Sequence, residues 1–357
     1  MKRLLVLGAA LLSLNALVAA TPVIHLTDLF RAPDDPDDHF DLATDFALAK
    51  RGLIDLKCVL IDYPPESQPG NPDVGAVAQL QYLTGISPIV AVGQKKGVRE
   101  PMNGLLLLKR LLEESPEPVV LHVLGANDTL ALFNDLWPEV LRTRVKAIYM
   151  NSGVGVDTGR MDYNVWLSPE AYRKMFDVGC PLYWVPCFNH WEKQEWDEGR
   201  TPSGRFGGFW RLRHAPVFDA VRPGVLNYLL EALRARAEKE TDLKPGSHWL
   251  NAVNAPVDPA LKARFYGQTR EMYCTVGFLH AAGLVVWKDG TLHPVGEAPE
   301  RELFRFRPVS VTCNEQSRTT WKDVPADAAR QFIVEILDVE AFPSAMTKAV
   351  VQLFSEL

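Results

Sequence analysis

Six short apolar runs recur through the first half of the chain, at residues 22–26, 56–62, 88–93, 119–125, 145–150 and 181–186. Stretches with helical apolar spacing separate them, bounded by Gly, Pro, Asn and Asp. A helix between two strands is a crossover, and crossovers make neighbouring strands parallel, with both sheet faces covered. The near-continuous apolar character of each run fits strands buried on both sides. The expected architecture is α/β, with a mostly parallel central sheet flanked by helices. No flexible linker divides residues 21–357, which read as a single domain long enough for a substantial core.

Several function classes drop out early. No G-x-S-x-G elbow, Walker A loop or G-x-G-x-x-G pattern occurs, which argues against a serine hydrolase and a nucleotide cofactor. The net charge is −6 without a basic stripe, so nucleic acid is not an expected partner. Cys58, Cys180, Cys187, Cys274 and Cys313 form no C-x-x-C pair, which speaks against cysteine-bound zinc and thioredoxin-type chemistry. Residues 1–20 have the build of a signal peptide: Lys2 and Arg3, an apolar stretch over 4–17, then Val18-Ala19-Ala20. The expectation is an exported protein, periplasmic or extracellular, with no membrane attachment after cleavage; a retained anchor is the alternative reading. Composition leaves the oligomeric state open, a homo-oligomer included.

The chemistry concentrates where the first run ends. Asp28 closes it, and Asp34, Asp35, Asp37, Asp38 and Asp41 follow before a helix over 42–49. The junction between a strand and a helix is where α/β sheets bind ligands. So many carboxylates repel one another, and each has its pKa raised by the rest. A hard cation such as Ca²⁺, which takes oxygen ligands, relieves that repulsion. The plainer alternative is solvated charge capping a helix N-terminus.

Four segments in order then resemble a known family. Asp28 with Pro36-Asp37-Asp38 looks like a strand-end aspartate and the closing D-D of its D-x-D-P-G-x-D-D loop, although this loop is longer and lacks the glycine. Leu124-Gly125-Ala126-Asn127-Asp128-Thr129-Leu130-Ala131-Leu132, with Pro138-Glu139, looks like L-G-P-L-T-N-L-A-L…P-E. Met161-Asp162-Tyr163-Asn164, leading to Pro169-Glu170-Ala171, looks like A-E-F-N…P-E-A, and Gly179-Cys180-Pro181-Leu182 looks like S-G-x-P-L. The family is the inosine/uridine-preferring nucleoside hydrolases, and the resemblance holds from about residue 23 to 186. It implies a nucleoside-hydrolase-like sheet with Ca²⁺ at the strand ends.

Carried over by position, Asp28 would bind the metal and take a proton from the attacking water. Asp38 would be a second ligand, with Asp41 as its alternative one turn on, and Asp37 would face a sugar hydroxyl. Asp128 would ligate through its main-chain carbonyl or its side chain. Asp162, Asn164 and Asn71 would grip the sugar. Glu271 would complete the metal shell at the opening of a helix over 270–279. Arg270 would stand where the family has a histidine, and arginine cannot donate a proton as an acid. Each position also has a local reading: a turn cap for Asp28, a helix N-cap for Asp128, turns for Asn71 and for Asp162 with Asn164. The resemblance implies a metal-dependent hydrolase of the N-glycosidic bond of a ribonucleoside or related compound, acting on a small-molecule nucleoside or glycoside. The alternatives are a hydrolase of another sugar derivative and a non-catalytic, calcium-dependent sugar- or glycan-binding protein on the same scaffold.

The second half carries less chemistry. A Trp/Gly-rich insertion near 191–215 reads as loop packing, with ring stacking on a ligand as its alternative. A long helix over 218–240 is interrupted by Pro223, and His280 reads as a core histidine. Residues 285–292 form a hairpin pattern around Asp289-Gly290, residues 304–312 a strand, and residues 326–337 and 344–357 closing helices.

Overall fold

The computed structural model describes residues 20–33, 35–66, 71–190, 204–242 and 246–357. The expected signal segment up to Ala19, and Trp191 and Trp196 of the insertion, lie outside the described residues. All six apolar runs are strands: β1 (Thr21–Thr27), β2 (Ile54–Ile61), β3 (Ile89–Val92), β4 (Val119–Val123), β5 (Val145–Asn151) and β6 (Leu182–Val185). A separate antiparallel ribbon pairs β7 (Trp210–Arg213) with β8 (Thr269–Met272). The last three strands are β9 (Phe304–Cys313), β10 (Thr319–Asp323) and β11 (Gln331–Ile336). The main sheet runs β10-β9-β11-β6-β5-β4-β1-β2-β3. Strands β1 to β6 pair in parallel, and β11 joins β6 in parallel. The antiparallel pairings of this sheet are those of β9 with β10 and with β11.

The helices that bear on function are α1 (Asp37–Lys50), α2 (Asp128–Leu136), α3 (Tyr163–Leu167), α4 (Pro223–Glu238) and α5 (Thr275–Ala281); α6 (Phe342–Phe354) closes the chain. None of the described helices is long and apolar enough to cross a membrane. One core lies on the sheet face covered by α1, α4 and α6, where Phe40, Phe46, Leu229 and Phe354 pack together. The other face buries Leu108, Phe133, Tyr172 and Trp184. Helix α1 is unusual in being buried around its whole circumference, with only Asp38 and Lys50 reaching solvent. Its polar side chains must therefore find partners inside the protein.

Three expectations for the second half change. Residues 326–337 are not a helix but a short 3₁₀ turn followed by β11. Phe332-Ile333-Val334 is a short apolar run, which periodicity alone cannot assign; the open edge of β6 decides for a strand. Residues 270–279 are also split, with β8 ending at Met272 and α5 starting at Thr275. Residues 218–240 belong to two helices, His214–Ala220 and α4, with Pro223 at the first turn of the second, where a missing N–H costs nothing.

From the pair β1–β4 the chain winds outward in both directions, to β3 on one side and to β6 on the other. Such a reversal opens a crevice at the C-terminal strand ends. Asp28 follows β1 and Leu124 follows β4, so both stand at its mouth. The core beneath is tight. Trp184 is fully buried, and its Nε1 donates to the Ser152 carbonyl at 2.7 Å. Trp184→Ala is expected to cost about 3–5 kcal/mol in denaturant unfolding, whereas exposed Leu106→Ala should stay within about 0.5 kcal/mol.

Candidate active site

The loop from β1 to α1 is pinned from behind. Phe30 and Arg31 pair with Pro72 and Asn71 in a two-residue antiparallel bridge. The Arg31 side chain is buried and meets Asp73 at 3.3 Å, Glu231 at 2.7 Å and Glu240 at 3.1 Å. Burial opposes its charge, but the three carboxylates outweigh it and hold its pKa above the ordinary value. The loop then delivers Asp37 and Asp38 to the first turn of α1, where the helix dipole favours negative charge. Thr27 Oγ1 donates to Asp38 Oδ1 at 2.8 Å, which ties α1 to the end of β1.

Asp28, Asp37, Asp38, Asp162, Asn164 and Glu271 line one cleft of about 460 Å³ at the C-terminal rim of the sheet. That is the size of a small-molecule site. Burial, with Asp35, Asp38, Asp41 and Asp28 around it, pushes the Asp37 carboxyl well above its usual range. Burial and Asp28 do the same to Asp38, against the Thr27 hydrogen bond. The outer wall is balanced differently. Arg270 pairs with Asp35 at 3.1 Å and approaches Glu271 at 3.7 Å, and Arg211 reaches Glu271 at 3.7 Å. Glu271 is raised by burial and Asp35, while Arg270, Arg211 and Arg236 oppose the rise. It sits on β8, opposite Arg211, and not at a helix opening.

The remaining predicted residues take distinct places. Asp162 caps α3: its oxygens accept from the Val165 and Gly153 N–H groups, so its carboxylate also shapes the cleft wall. Asn164 Nδ2 donates to the Leu124 carbonyl at 2.6 Å, and Leu124 is the residue of its loop that faces the cleft. Asp128 instead lines an adjoining pocket of about 490 Å³, where Ser168 Oγ donates to it. Asn71 stands away from the cleft, with Nδ2 donating to the Thr241 carbonyl at 3.0 Å. His280 is in the core, hydrogen-bonded to Tyr149 at 2.8 Å, and burial lowers its pKa to about 4.

Several cleft groups carried no sequence signal, or a misread one. Asp62 closes β2 as Asp28 closes β1, and it lines the adjoining pocket. Burial, then Asp28 and Asp128, push its carboxyl well up, and its Oδ2 has no hydrogen-bond partner. Gly125 permits the close approach here, because a Cβ would lie 2.3 Å from Asp62 Oδ2 and 3.2 Å from the Asp28 nitrogen and would displace the Asp62 carboxylate. Tyr273 and Cys274, at the true opening of α5, face the cleft, as does Cys187. Asn151 gathers them: its Nδ2 donates to the Val185 and Tyr273 carbonyls, and its Oδ1 accepts from the Cys274 thiol at 3.0 Å. All five cysteines are free thiols.

With this geometry in place, comparison with known proteins is informative. The inosine-uridine preferring nucleoside hydrolase of Bacillus anthracis superposes over 94% of this chain and 100% of its own, with a TM-score of 0.50 and 14% identity. This is a nucleoside-hydrolase-like fold. The type III effector protein XopQ, complexed with adenosine diphosphate ribose, matches over 95% of this chain and 94% of its own, at 15% identity and a TM-score of 0.51. In sequence, the pyrimidine-specific ribonucleoside hydrolase RihA of Citrobacter koseri is 31% identical over 78 residues, 21% of this chain. The match spans 25% of that protein's length. No protein-family model matches. The chain thus has a nucleoside-hydrolase-like fold, with its acid cleft at the C-terminal rim of the sheet.

The raised carboxylates have a measurable consequence. Folded Asp37, Asp38 and Asp62 keep protons that the unfolded chain has already released above about pH 4. Metal-depleted protein should therefore lose more thermal stability than its Asp37→Asn variant as pH rises from about 4 toward neutrality, and added Ca²⁺ should narrow that difference. Calorimetry across this range checks both; a difference of the opposite sign would remove the electrostatic account.

Proposed function

We propose that this protein is an exported, metal-dependent hydrolase that cleaves the N-glycosidic bond of a ribonucleoside or a related N-glycosyl compound. The observation that supports this reading best is the meeting of Asp28, Asp37, Asp38, Asp162 and Asn164 on one cleft at the strand ends. The donor set is rich in carboxylate and carbonyl oxygen, which suits a hard cation. Asp28 and Asp38 would hold Ca²⁺, with the Leu124 carbonyl beside them. Burial, and then the neighbouring carboxylates, raise Asp37 and Asp38, and a cation would relieve that cost. When bound, the ion would orient sugar hydroxyls and make a bound water more acidic.

The protein groups would divide the remaining work. Asp28, at the floor of the crevice, would accept the proton of the attacking water. Asp37 and Asn164 would grip sugar hydroxyls as acceptor and donor. Cleaving the bond builds positive charge on the sugar ring, and the acidic walls would stabilise it. The adjoining pocket shares Asp28 and Phe30 with the cleft and adds Tyr63 and Trp166, whose rings suit a flat leaving group. Arg270 is held by Asp35 and cannot serve as a proton donor. That departure, together with the adenosine diphosphate ribose bound to XopQ, favours a second reading, sugar binding without turnover.

Ribose release from a nucleoside panel, with and without chelator, separates the two readings. Hydrolysis predicts chelator-sensitive release that Asp28→Asn lowers by at least about 100-fold. Calcium-dependent ligand binding by calorimetry, with no release from any nucleoside, would decide for the binding protein. Release insensitive to chelator would overturn the metal's part.

A further inference from the structure

Beneath the acid cleft, and apart from it, lies a second polar cluster. His25 of β1 and His122 of β4 are adjacent across the sheet, register partners in its most buried strand pair. Both turn toward α1, where Asp45 meets them. His25 Nδ1 is 2.7 Å and His122 Nδ1 2.8 Å from the same oxygen, Asp45 Oδ2. All three residues are completely buried. Their ligand atoms lie within 4.8 Å of one another, and no other group of three His, Cys, Asp or Glu among the described residues does so. The Phe278 ring of α5 covers the cluster, 4.7 Å from the His122 ring and 5.7 Å from that of His25.

Charge is the anomaly. One turn before Asp45 on the same helix face stands Asp41, also completely buried. Neither Asp41 oxygen has a hydrogen-bond partner, and Asp45 Oδ1 has none. The Cys274 thiol lies beside Asp41, but its short contact is to Asn151 Oδ1, at 3.0 Å. Thr275 Oγ1, one turn before Phe278 on α5, is another buried oxygen without a partner. Two carboxylates with unanswered oxygens in a core are costly unless a counter-charge accompanies them. Among the described residues the ion-pair partners of Asp45 are the two imidazoles, which against its burial draw its carboxyl down to about 2, and no lysine or arginine is paired with Asp41 or Asp45.

We propose that His25, His122 and Asp45 form a buried transition-metal centre, of the kind that takes zinc, with Asp41 supplying the balancing carboxylate. Two imidazoles and a carboxylate are zinc donors, and a calcium site would not choose nitrogen. Ligand atoms in a tetrahedral zinc site stand about 3.3 Å apart, given bonds of about 2.0–2.1 Å. The two short contacts need open by only about half an ångström to admit an ion. The imidazoles bind as neutral ligands, so a divalent ion cancels the charge of Asp41 and Asp45 together. The ion would fasten β1, β4 and α1 directly under the cleft, and it would be structural, since no open face reaches it.

The unsubstituted protein decides the matter first. Crystals of full-length protein prepared with Zn²⁺ should show an anomalous peak at the zinc edge between His25 and His122. Zinc should survive dialysis against excess Ca²⁺ and raise the melting temperature. Asp41→Asn is the gentler variant and should weaken zinc retention about 10–100-fold, while His122→Gln should abolish it. Protein that binds no transition metal, an anomalous peak confined to the acid cleft, or a melting temperature indifferent to zinc would each overturn the proposal. These readouts are independent of nucleoside hydrolysis, so failure of either reading leaves the other standing.

Discussion

Burial of carboxylates beside one another sets the electrostatics of the C-terminal rim of this sheet. Asp28, Asp37 and Asp38 are brought together by the ends of β1 and α1, and burial makes Asp37 and Asp38 harder to ionise, with Asp28 adding to the effect on both. The fold does not remove this cost by spreading them apart. It surrounds them with positive charge at a distance instead: Arg31 behind the loop, Arg270 on Asp35, Arg211 and Arg236 near Glu271. The inner carboxylates keep their raised protonation, while the outer ones are paired. A cleft organised in this way has its strongest unmet electrostatic demand at its floor, where a sugar ring or a cation would lie.

The architecture that presents this cleft was largely legible. Short apolar runs separated by helical spacing imply a parallel sheet, and all six appear as strands in the expected places. The acidic loop was legible because six aspartates between a strand and a helix have few structural uses. Asp28, Asp37 and Asp38 follow directly from that pattern. Asn164 and Asp162 come instead from the family resemblance of the Met161-Asp162-Tyr163-Asn164 segment, and Asp162 spends its oxygens on backbone N–H groups.

Elsewhere local pattern ran out. Arg270 and Glu271 belong to a strand whose partner, β7, lies some sixty residues earlier, and nothing local announces that pairing. The helix opening therefore shifted by a few residues, and Tyr273 and Cys274 went unnoticed as cleft residues. Residues 331–336 could be read as helix or strand until the free edge of β6 was known. Asp62 is a single aspartate ending an apolar run, and only the strand order brings it beside Asp28. Asn71 has the opposite history: its turn chemistry was sound, but its side chain serves the backbone near Thr241.

The buried guanidinium of Arg31 has one more implication. It holds the acidic loop against α4, two hundred positions further along the chain. The shape of the loop is thus a joint property of both halves of the polypeptide. Grafting the first half of this chain onto the second half of a homologue would bring every cleft aspartate with it and still lose the anchor that aims them.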